Sequence, residues 1–537
     1  MKEQQKPWWQ TGVIYQIYPR SYQDSNNDGI GDLKGIIRRL DHLHWLGIDA
    51  IWISPIFPSP MADFGYDVSD YTNIHPIFGN LSDFDELLAA VHARGMKLLL
   101  DLVPNHTSHQ HPWFLSSRSS RKDPKRDWYI WKDPKPDGSP PNNWLSVFGG
   151  SAWEWDETTQ QYYYHSFLKE QPDLNWRNPD VQEAMFDVMR FWLDKGVNGF
   201  RVDVLWFIFK DEQLRNNPPN PDFAQHMPDY DQLLPVYSTD QPEVQEITRR
   251  MRSVLEEYED ARVLIAEVYL PIRELMAYYG ADNKGAHLPF NFLLLSLPWD
   301  ALQIAATIDQ YEGALPPQSW PNWVLSNHDR PRITSRVGAG QARIAAMLLL
   351  TLRGTPTIYY GDEIGMRDVA IPFEEIMDPQ GLNMPDKNLS RDPARTPMQW
   401  DTGKNAGFTE NKPWLRLDKA YARMNVLEQR EDRHSMLRLY RRLISLRRKE
   451  PALATGSYRT VYADTQLLAF TRQQEGCDGF LIVLNLTHRP GYFRPQDFTF
   501  SGTVELSASR ESEGSKISDM ISLDGDEGLV IRLERAD

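Results

Sequence analysis

Short apolar runs alternate with amphipathic segments along most of the chain. The runs are typical of buried strands, and the amphipathic segments repeat apolar residues at helical spacing. Leu33–Leu46 is one predicted helix, and Gly47 ends it. Eight strands are predicted: Val13–Tyr18, Ile48–Ile53, Lys97–Val103, Gly199–Val204, Arg262–Val268, Leu288–Leu294, Trp323–Ser326 and Thr357–Tyr360. Eight alternating βα units favour a closed, parallel (β/α)₈ TIM barrel over an open sheet.

The repeat is interrupted after the third strand. A βα unit takes about 30 residues, yet Asp101 and Asp203 end consecutive strands about 100 residues apart. The stretch between them predicts an inserted subdomain over residues 107–175, flanked by barrel segments 1–106 and 176–455. A second Pro- and Asp-rich excursion covers residues 365–417. Residues 456–537 predict a C-terminal antiparallel β-sandwich domain, with a turn signal at Asp478-Gly479.

Four of the strands end in acids, histidines or both. The motifs are Asp101–His106, Gly199–Asp203, Ala266–Val268 and Ser326–Asp329. Because the carboxyl ends of barrel strands meet at one edge, the sequence predicts a single polar pocket there.

Two carboxylates in this pocket suit chemistry at a glycosidic bond. Asp203 and Glu267 lie on neighbouring strands, where they can act as nucleophile and general acid/base. Asp329 can hold ring hydroxyls. Arg201 lies two residues before Asp203, so it faces the same side of the strand and can keep Asp203 ionised.

Two histidines of these motifs, His106 and His328, can donate hydrogen bonds to sugar hydroxyls or to developing charge. A metal-dependent use of the same acids and histidines stays open, although no motif has two histidines at metal-ligand spacing.

Composition narrows the choice of partners and compartment. The net charge is −16, which disfavours nucleic acid and fits a neutral or cationic substrate. Cys477 is the single cysteine, so no internal disulfide is expected and a reducing compartment is compatible. Met1–Pro7 has no apolar core of a signal peptide, and no run of 18 apolar residues occurs in the chain. We therefore expect a cytoplasmic protein without a membrane partner.

The segment Asp24–Asp32 is a separate signal. Alternate oxygen side chains around a glycine are typical of a cage for a hard cation. Its twelfth position is Gly35 where an EF-hand needs Glu. The alternative is an Asx-rich turn without metal.

Together, these motifs resemble the four signature regions of the α-amylase family of glycoside hydrolases, family thirteen, in the family's order. The resemblance covers nearly the whole chain. It implies a retaining enzyme with Asp203 as nucleophile, Glu267 as acid/base and Asp329 as transition-state stabiliser.

Other segments resemble the oligo-1,6-glucosidase and α-glucosidase group of that family. One is Gln171–Asn175, which is similar to the group's fifth region. In the segment Asp63–Asp67, the resemblance implies that Asp63 binds an outer hydroxyl and Tyr66 stacks on the sugar. The loop Arg391–Trp400 is similar to one whose arginine meets the same glucose, and we assign that role to Arg395 before Arg391.

The resemblance also implies a structural cation. It favours one Ca²⁺, with Mg²⁺ not distinguished, on Asp24, Asn26, Asp28, Asp32 and the Ile30 carbonyl. At Val204, valine is similar to group members that accept α-1,6 bonds, and we expect its side chain to point away from that of Asp203.

The expected function is removal of terminal α-glucose from short oligosaccharides or small glucosides, with transglucosylation as a further outcome. The nearest alternative is a transglucosylase or isomerase, such as a trehalose synthase-like enzyme. A non-catalytic relative that keeps the barrel for binding is a third possibility, but the chain retains all three acids.

Overall fold

A computed structural model describes residues 6–495 and 499–534. Eight parallel strands form one sheet in the order β7-β8-β1-β2-β3-β4-β5-β6. The strands are β1 (Ile14–Ile17), β2 (Ala50–Ile53), β3 (Lys97–Leu102), β4 (Gly199–Val202), β5 (Val263–Ala266), β6 (Leu288–Pro289), β7 (Asn322–Val324) and β8 (Thr355–Tyr359). The predicted barrel is confirmed.

A helix follows each strand and packs outside the sheet. These helices are α1 (Leu33–Leu46), α2 (Leu81–Ala93), α3 (Pro179–Lys195), α4 (Val244–Glu256), α5 (Ile272–Ala277), α6 (Ala301–Ala314), α7 (Ile333–Thr351) and α8 (Met436–Lys449). Local sequence sets their ends. Asp32 caps α1 by accepting from the Gly35 N–H, and Gly47 ends it in the left-handed region at φ 99°.

The predicted sixth strand is shorter than expected. The sequence predicts Leu288–Leu294, but β6 ends at Pro289 and Leu293–Ser296 forms a helical turn. Two residues explain why the strand ends early. Pro289 has no N–H to donate to a ladder, and the Asn291 side chain accepts from the Leu293 N–H at 3.1 Å, which starts the turn.

A side chain closes the barrel between β6 and β7, where no backbone ladder forms. The Asn322 amide donates to the carbonyl of Pro289. Its oxygen accepts from the Asn291 N–H at 3.1 Å. Asn322 therefore replaces the ladder that a proline-ended strand cannot supply.

The stretch between β3 and α3 carries its own small elements. These are helix Pro112–Ser119 and a three-stranded antiparallel sheet of Trp131–Lys132, Trp153–Asp156 and Gln161–Tyr164. The remaining short helices are Trp8–Thr11, Leu293–Ser296, Pro379–Asn383, Val426–Glu431 and Pro451–Thr455.

After the short helix Pro451–Thr455, the chain is antiparallel β structure, as predicted. Its strands are β9 (Ser457–Ala463), β10 (Leu467–Gln473), β11 (Phe480–Asn485), β12 (Gly491–Phe493), β13 (Ser501–Ser507), β14 (Lys516–Ser518), β15 (Ile521–Leu523) and β16 (Gly528–Leu533). A six-stranded sheet and the pair β12-β15 share one apolar core.

No helix within residues 6–495 and 499–534 is long and apolar enough to span a membrane. The first five residues of the N-terminal segment used to exclude a signal peptide lie outside the described residues.

We predict that Asn322→Ala weakens the barrel. The change leaves the Pro289 carbonyl and the Asn291 N–H buried without partners, at a cost of roughly 2–4 kcal/mol. The melting temperature should fall by several degrees, whereas Asn73→Ala at an exposed position should leave it nearly unchanged. Equal melting curves for the two variants would contradict a closing role for Asn322.

Candidate active site

The guanidinium of Arg201 joins three strand ends. Arg201 Nη1 lies 2.8 Å from Asp101 Oδ1 and 2.7 Å from Asp203 Oδ1. Its Nη2 lies 2.7 Å from Glu267 Oε2. The three acids come from the ends of β3, β4 and β5, which are neighbours in the sheet. The structure therefore brings Arg201, Asp203 and Glu267 together, as the sequence predicts.

Backbone hydrogen bonds continue past the strand ends and fix the two carboxylates. The Asp203 N–H donates to the Leu102 carbonyl at 2.8 Å, and the Glu267 N–H donates to the Val202 carbonyl at 2.9 Å. Each acid is thus placed by the strand before it in the barrel.

Val204 leaves the strand sooner than predicted. The predicted strand Gly199–Val204 ends at Val202, and Val204 is left-handed at φ 36° and ψ 45°. The prediction that the strand reaches Val204 was therefore wrong. Strand alternation does not set the direction of the Val204 side chain, which stays a prediction. A β-branched residue in this region is strained. The conformation lets the Val204 N–H donate to Glu267 Oε2 at 2.8 Å.

Burial and mutual repulsion oppose ionisation of the clustered acids. Burial raises the pKa of Asp203 well above its ordinary value, against the lowering effect of Arg201. It also raises the pKa of Glu267, and it raises that of Asp101 to about 7. The Asp203 and Glu267 carboxyl groups are close enough to hydrogen-bond. One cation faces three buried acids, so burial and mutual repulsion favour a protonated carboxyl group in the cluster.

Two neutral histidines line the same pocket. Burial lowers the pKa of His328 to about 3 and that of His106 to about 4. His328 Nε2 lies 2.6 Å from the Tyr66 hydroxyl, and the two rings stack 5.5 Å apart. His106 Nε2 lies 3.1 Å from the Tyr66 carbonyl. Both histidines thus hold Tyr66, whose stacking on a sugar stays a prediction.

Charged side chains close one end of the pocket. Arg391 Nη2 lies 2.7 Å from Asp63 Oδ1 and 2.6 Å from Asp378 Oδ1. Arg391 Nη1 lies 3.3 Å from Asp329 Oδ1, and Arg395 Nη2 lies 3.0 Å from the same oxygen. The prediction placed Arg395 here before Arg391, and the structure places both arginines on Asp329. Of the two, Arg391 is the one that pairs with Asp63.

Asp63 and Asp329, the two acids that pair with Arg391 on the pocket side, differ in how readily they ionise. Burial raises the pKa of Asp63 to about 6, although Arg391 lowers it. Burial opposes ionisation of Asp329 too, but the charges of Arg391 and Arg395 hold its pKa below the ordinary value. Asp329 is therefore a fixed negative charge in the pocket.

A buried ion pair ties the inserted stretch to the barrel beside the pocket. Lys210 Nζ lies 2.5 Å from Asp173 Oδ2 and donates to Asn105 Oδ1 at 2.8 Å. Asn105 precedes His106, and Asp173 follows Gln171, whose amide lies 3.1 Å from His106 Nε2. The network sets the position of that histidine.

Sequence reasoning missed several residues of the site. Asp101 and Gln171 stood inside quoted motifs but were given no role, although each contacts a predicted site residue. Asp378 had no local signal, because its contact with Arg391 depends on how the second excursion folds.

In the loop Asp24–Asp32, the carboxylate side chains accept hydrogen bonds from backbone N–H groups of the same loop. Asp24 accepts from the N–H groups of Asn26, Asn27 and Gly29 at 2.7–2.9 Å. Asp32 accepts from Ser25 and Gly35, and Asp28 accepts from Ile30. Among the described residues, no three His, Cys, Asp or Glu side chains cluster as a metal site. The Thr409 hydroxyl also donates to Asp24 at 2.6 Å, so four donors occupy the acceptor positions of that carboxylate. Asp28 and Asp32 keep free acceptor positions, which suit a hard cation.

Comparisons with known proteins point to one family. The model of the α-amylase catalytic domain matches residues 16–456. A probable α-glucosidase of Rhizobium meliloti is 44% identical over 88% of each chain. An oligo-1,6-glucosidase of Parageobacillus thermoglucosidasius is 39% identical over 94% of each. The solved structure of an α-glucosyl transfer enzyme, XgtA, is 40% identical, with a TM-score of 0.93 over 99% of this chain and 100% of that one.

We predict opposite pH shifts for two variants around Arg201. Arg201→Lys loses part of the pairing that lowers the pKa of Asp203, so the acid limb of kcat/KM should move to higher pH. Asp101→Asn removes a charge that raises the pKa of Asp203, so the limb should move to lower pH. Profiles of kcat/KM against pH, with melting curves as a folding control, measure both. Shifts in the same direction would contradict a shared cation.

Proposed function

The chain belongs to the α-amylase family of glycoside hydrolases, and we propose that it is a retaining α-glucosidase. Its substrates are short oligosaccharides and small glucosides, from which it releases the terminal α-glucose. One observation carries the proposal most directly. A single buried guanidinium pairs with Asp203 and Glu267 on neighbouring strand ends, 2.7 Å from each.

In the first step of the proposed reaction, an Asp203 oxygen bonds to the anomeric carbon as the glycosidic bond breaks. Glu267 gives its proton to the leaving oxygen. In the second step, Glu267 takes a proton from water, the water oxygen bonds to the anomeric carbon and the bond to Asp203 breaks. Two inversions give net retention.

Arg201 and the Val204 N–H support both steps. As Glu267 loses its proton, its Oε2 faces Arg201 Nη2 at 2.7 Å and the Val204 N–H at 2.8 Å. These donors are in place before charge develops, which is how a preorganised site lowers a barrier. We assign to Asp329, held by Arg391 and Arg395, the stabilisation of positive charge at the sugar ring.

The closed end of the pocket supports action at chain ends. Asp63 and Arg391 pair across it, and Gln171 donates to Asp63 at 3.3 Å. We propose that this wall leaves no room for a further sugar beyond a glucose placed against it. We therefore expect the rest of the substrate to extend only from the opposite side.

Transglucosylation is the second candidate. The similarity to a solved α-glucosyl transfer enzyme favours it. Both reactions share the glucosyl-Asp203 intermediate and differ in whether water or a sugar hydroxyl resolves it. We propose the cytoplasm as the working compartment, because Cys477 is the single cysteine.

We also propose that the loop Asp24–Asp32 binds one structural Ca²⁺ through Asp24, Asn26, Asp28, Asp32 and the Ile30 carbonyl. Alternating oxygen donors support this. The loop follows β1 and is separate from the catalytic cluster, so no role in the chemistry is assigned to it.

Proton NMR of a maltose digest tests the proposed function. We expect α-glucose as the first product, before mutarotation, and no release by Asp203→Asn, because losing the nucleophile costs several orders of magnitude in rate. At high maltose concentration, new oligosaccharide signals measure the transfer reaction. Initial β-glucose, or a folded Asp203→Asn variant of normal activity, would overturn the mechanism.

Removal of the cation should lower stability more than activity. A ligand that binds only the native state stabilises it by mass action, so exhaustive chelation should lower the melting temperature, and added Ca²⁺ should restore it. Activity at low temperature should change little. An Asx-rich turn without metal predicts an unchanged melting curve and no metal in elemental analysis.

A further inference from the structure

The residues that follow the three proposed catalytic acids meet one another. Trp206 follows Asp203 by three positions, Tyr269 follows Glu267 by two and Arg330 follows Asp329 directly. The Trp206 and Tyr269 rings lie 5.7 Å apart. The Arg330 guanidinium lies 5.4 Å from the centre of the Tyr269 ring. These three side chains, which we call the exit cluster, lie beside the acid that protonates the leaving group.

Tyr269 is held firmly in this cluster. Its ring stacks on Phe292 at a centroid distance of 4.2 Å, and its hydroxyl accepts from the Asn327 side chain at 3.2 Å. Its hydroxyl is also close enough to Glu267 and Asp329 for both charges to raise its pKa, after the larger effect of burial. Tyr269 is thus a fixed surface that places Arg330 next to the catalytic acids.

Arg330 differs from the other arginines near the pocket because no described carboxylate pairs with it. Arg201, Arg391 and Arg395 each pair with carboxylates at 2.6–3.3 Å. The Arg330 side chain has neither a hydrogen bond nor an ion pair among residues 6–495 and 499–534. It is also exposed.

One acid interacts with the charge of Arg330 without forming an ion pair with it. Asp231, on the loop after β4, has a pKa that burial raises and Arg330 lowers. The two side chains do not form an ion pair. The guanidinium is therefore available to a bound molecule.

The charges of the pocket explain why a cation at this position matters for the leaving group. The pocket holds six acids, Asp63, Asp101, Asp203, Glu267, Asp329 and Asp378, against the three arginines that pair with them. Because the acids outnumber the cations, a negatively charged leaving group would meet repulsion there. A cation at the exit offsets that repulsion and can donate two hydrogen bonds to a carboxylate.

On the basis of the proposed glucosidase activity, we infer that Arg330 determines specificity on the leaving-group side and favours α-glucosides whose aglycone carries a carboxylate. The aromatic rings of the exit cluster would contact the body of such an aglycone, and Arg330 would pair with its charge. Neutral glucosides remain substrates, because Arg330 takes no part in bond breaking.

The test compares two nearly isosteric substrates, 4-carboxyphenyl and 4-carbamoylphenyl α-glucoside. The ratio of their kcat/KM values isolates the charge of the leaving group. We expect Arg330→Gln to lower this ratio about tenfold, as loss of a hydrogen bond between charged groups does. Arg330→Lys, which keeps the charge, should restore most of the ratio. Arg459→Gln, the same change at an exposed position on β9, should not alter it.

Further readouts separate specificity from a structural effect. The change should lie mainly in KM for the carboxylate, and kcat/KM for the neutral amide should change less than twofold in Arg330→Gln. Higher salt should lower the wild-type ratio, because the pairing lies at the exposed mouth of the site.

The outcomes distinguish this inference from the proposed function. If wild type cleaves the neutral glucoside but Arg330→Gln leaves the ratio unchanged, the inference is wrong and the glucosidase assignment stands. Equal losses with both substrates would show a structural role and would also overturn it. If wild type cleaves neither glucoside, both proposals fail.

Discussion

The site depends on one buried cation among carboxylates that outnumber it. Arg201 pairs with Asp101, Asp203 and Glu267 in a water-poor environment. Removing charges from water is costly, and close like charges add to that cost. The cluster therefore favours a protonated carboxyl group, and the barrel must hold the acids within reach of one guanidinium. The lengths of β3, β4 and β5 and the strained turn at Val204 all serve this arrangement.

A second group of charges, at the closed end, works differently. Asp329 meets two arginines and stays ionised, whereas Asp63 is buried and shares Arg391 with Asp378. One end of the pocket thus keeps a permanent charge, and the centre favours a protonated carboxyl group. Retaining glycoside hydrolysis needs both, since positive charge develops at the ring while a proton moves to the leaving oxygen.

Much of this could be predicted from the sequence. Parallel strands end at one edge, so motifs at Asp101, Asp203, Glu267 and Asp329 had to meet there. Features that depend on particular side chains far apart in the chain could not be predicted. The pairing of Asp63, Arg391 and Asp378 joins two loops whose folds have no periodic signal. At Val204, the need for an N–H at Glu267 overrides the strand propensity of valine. β6 ends early because of Pro289, which the apolar pattern of the sequence did not distinguish from the strand residues around it.

The closure of the barrel by Asn322 has a further consequence. Seven junctions of the cylinder are repeated backbone ladders, but the junction between β6 and β7 depends on a single amide side chain. Proteins open locally where the fewest cooperative bonds must break together. The barrel is therefore a cylinder with one seam, and its thermal fluctuations should be largest there. That seam lies on the far side of β5 from Arg201 and β4, so the strands that carry Asp203 and Glu267 can stay paired while the cylinder opens.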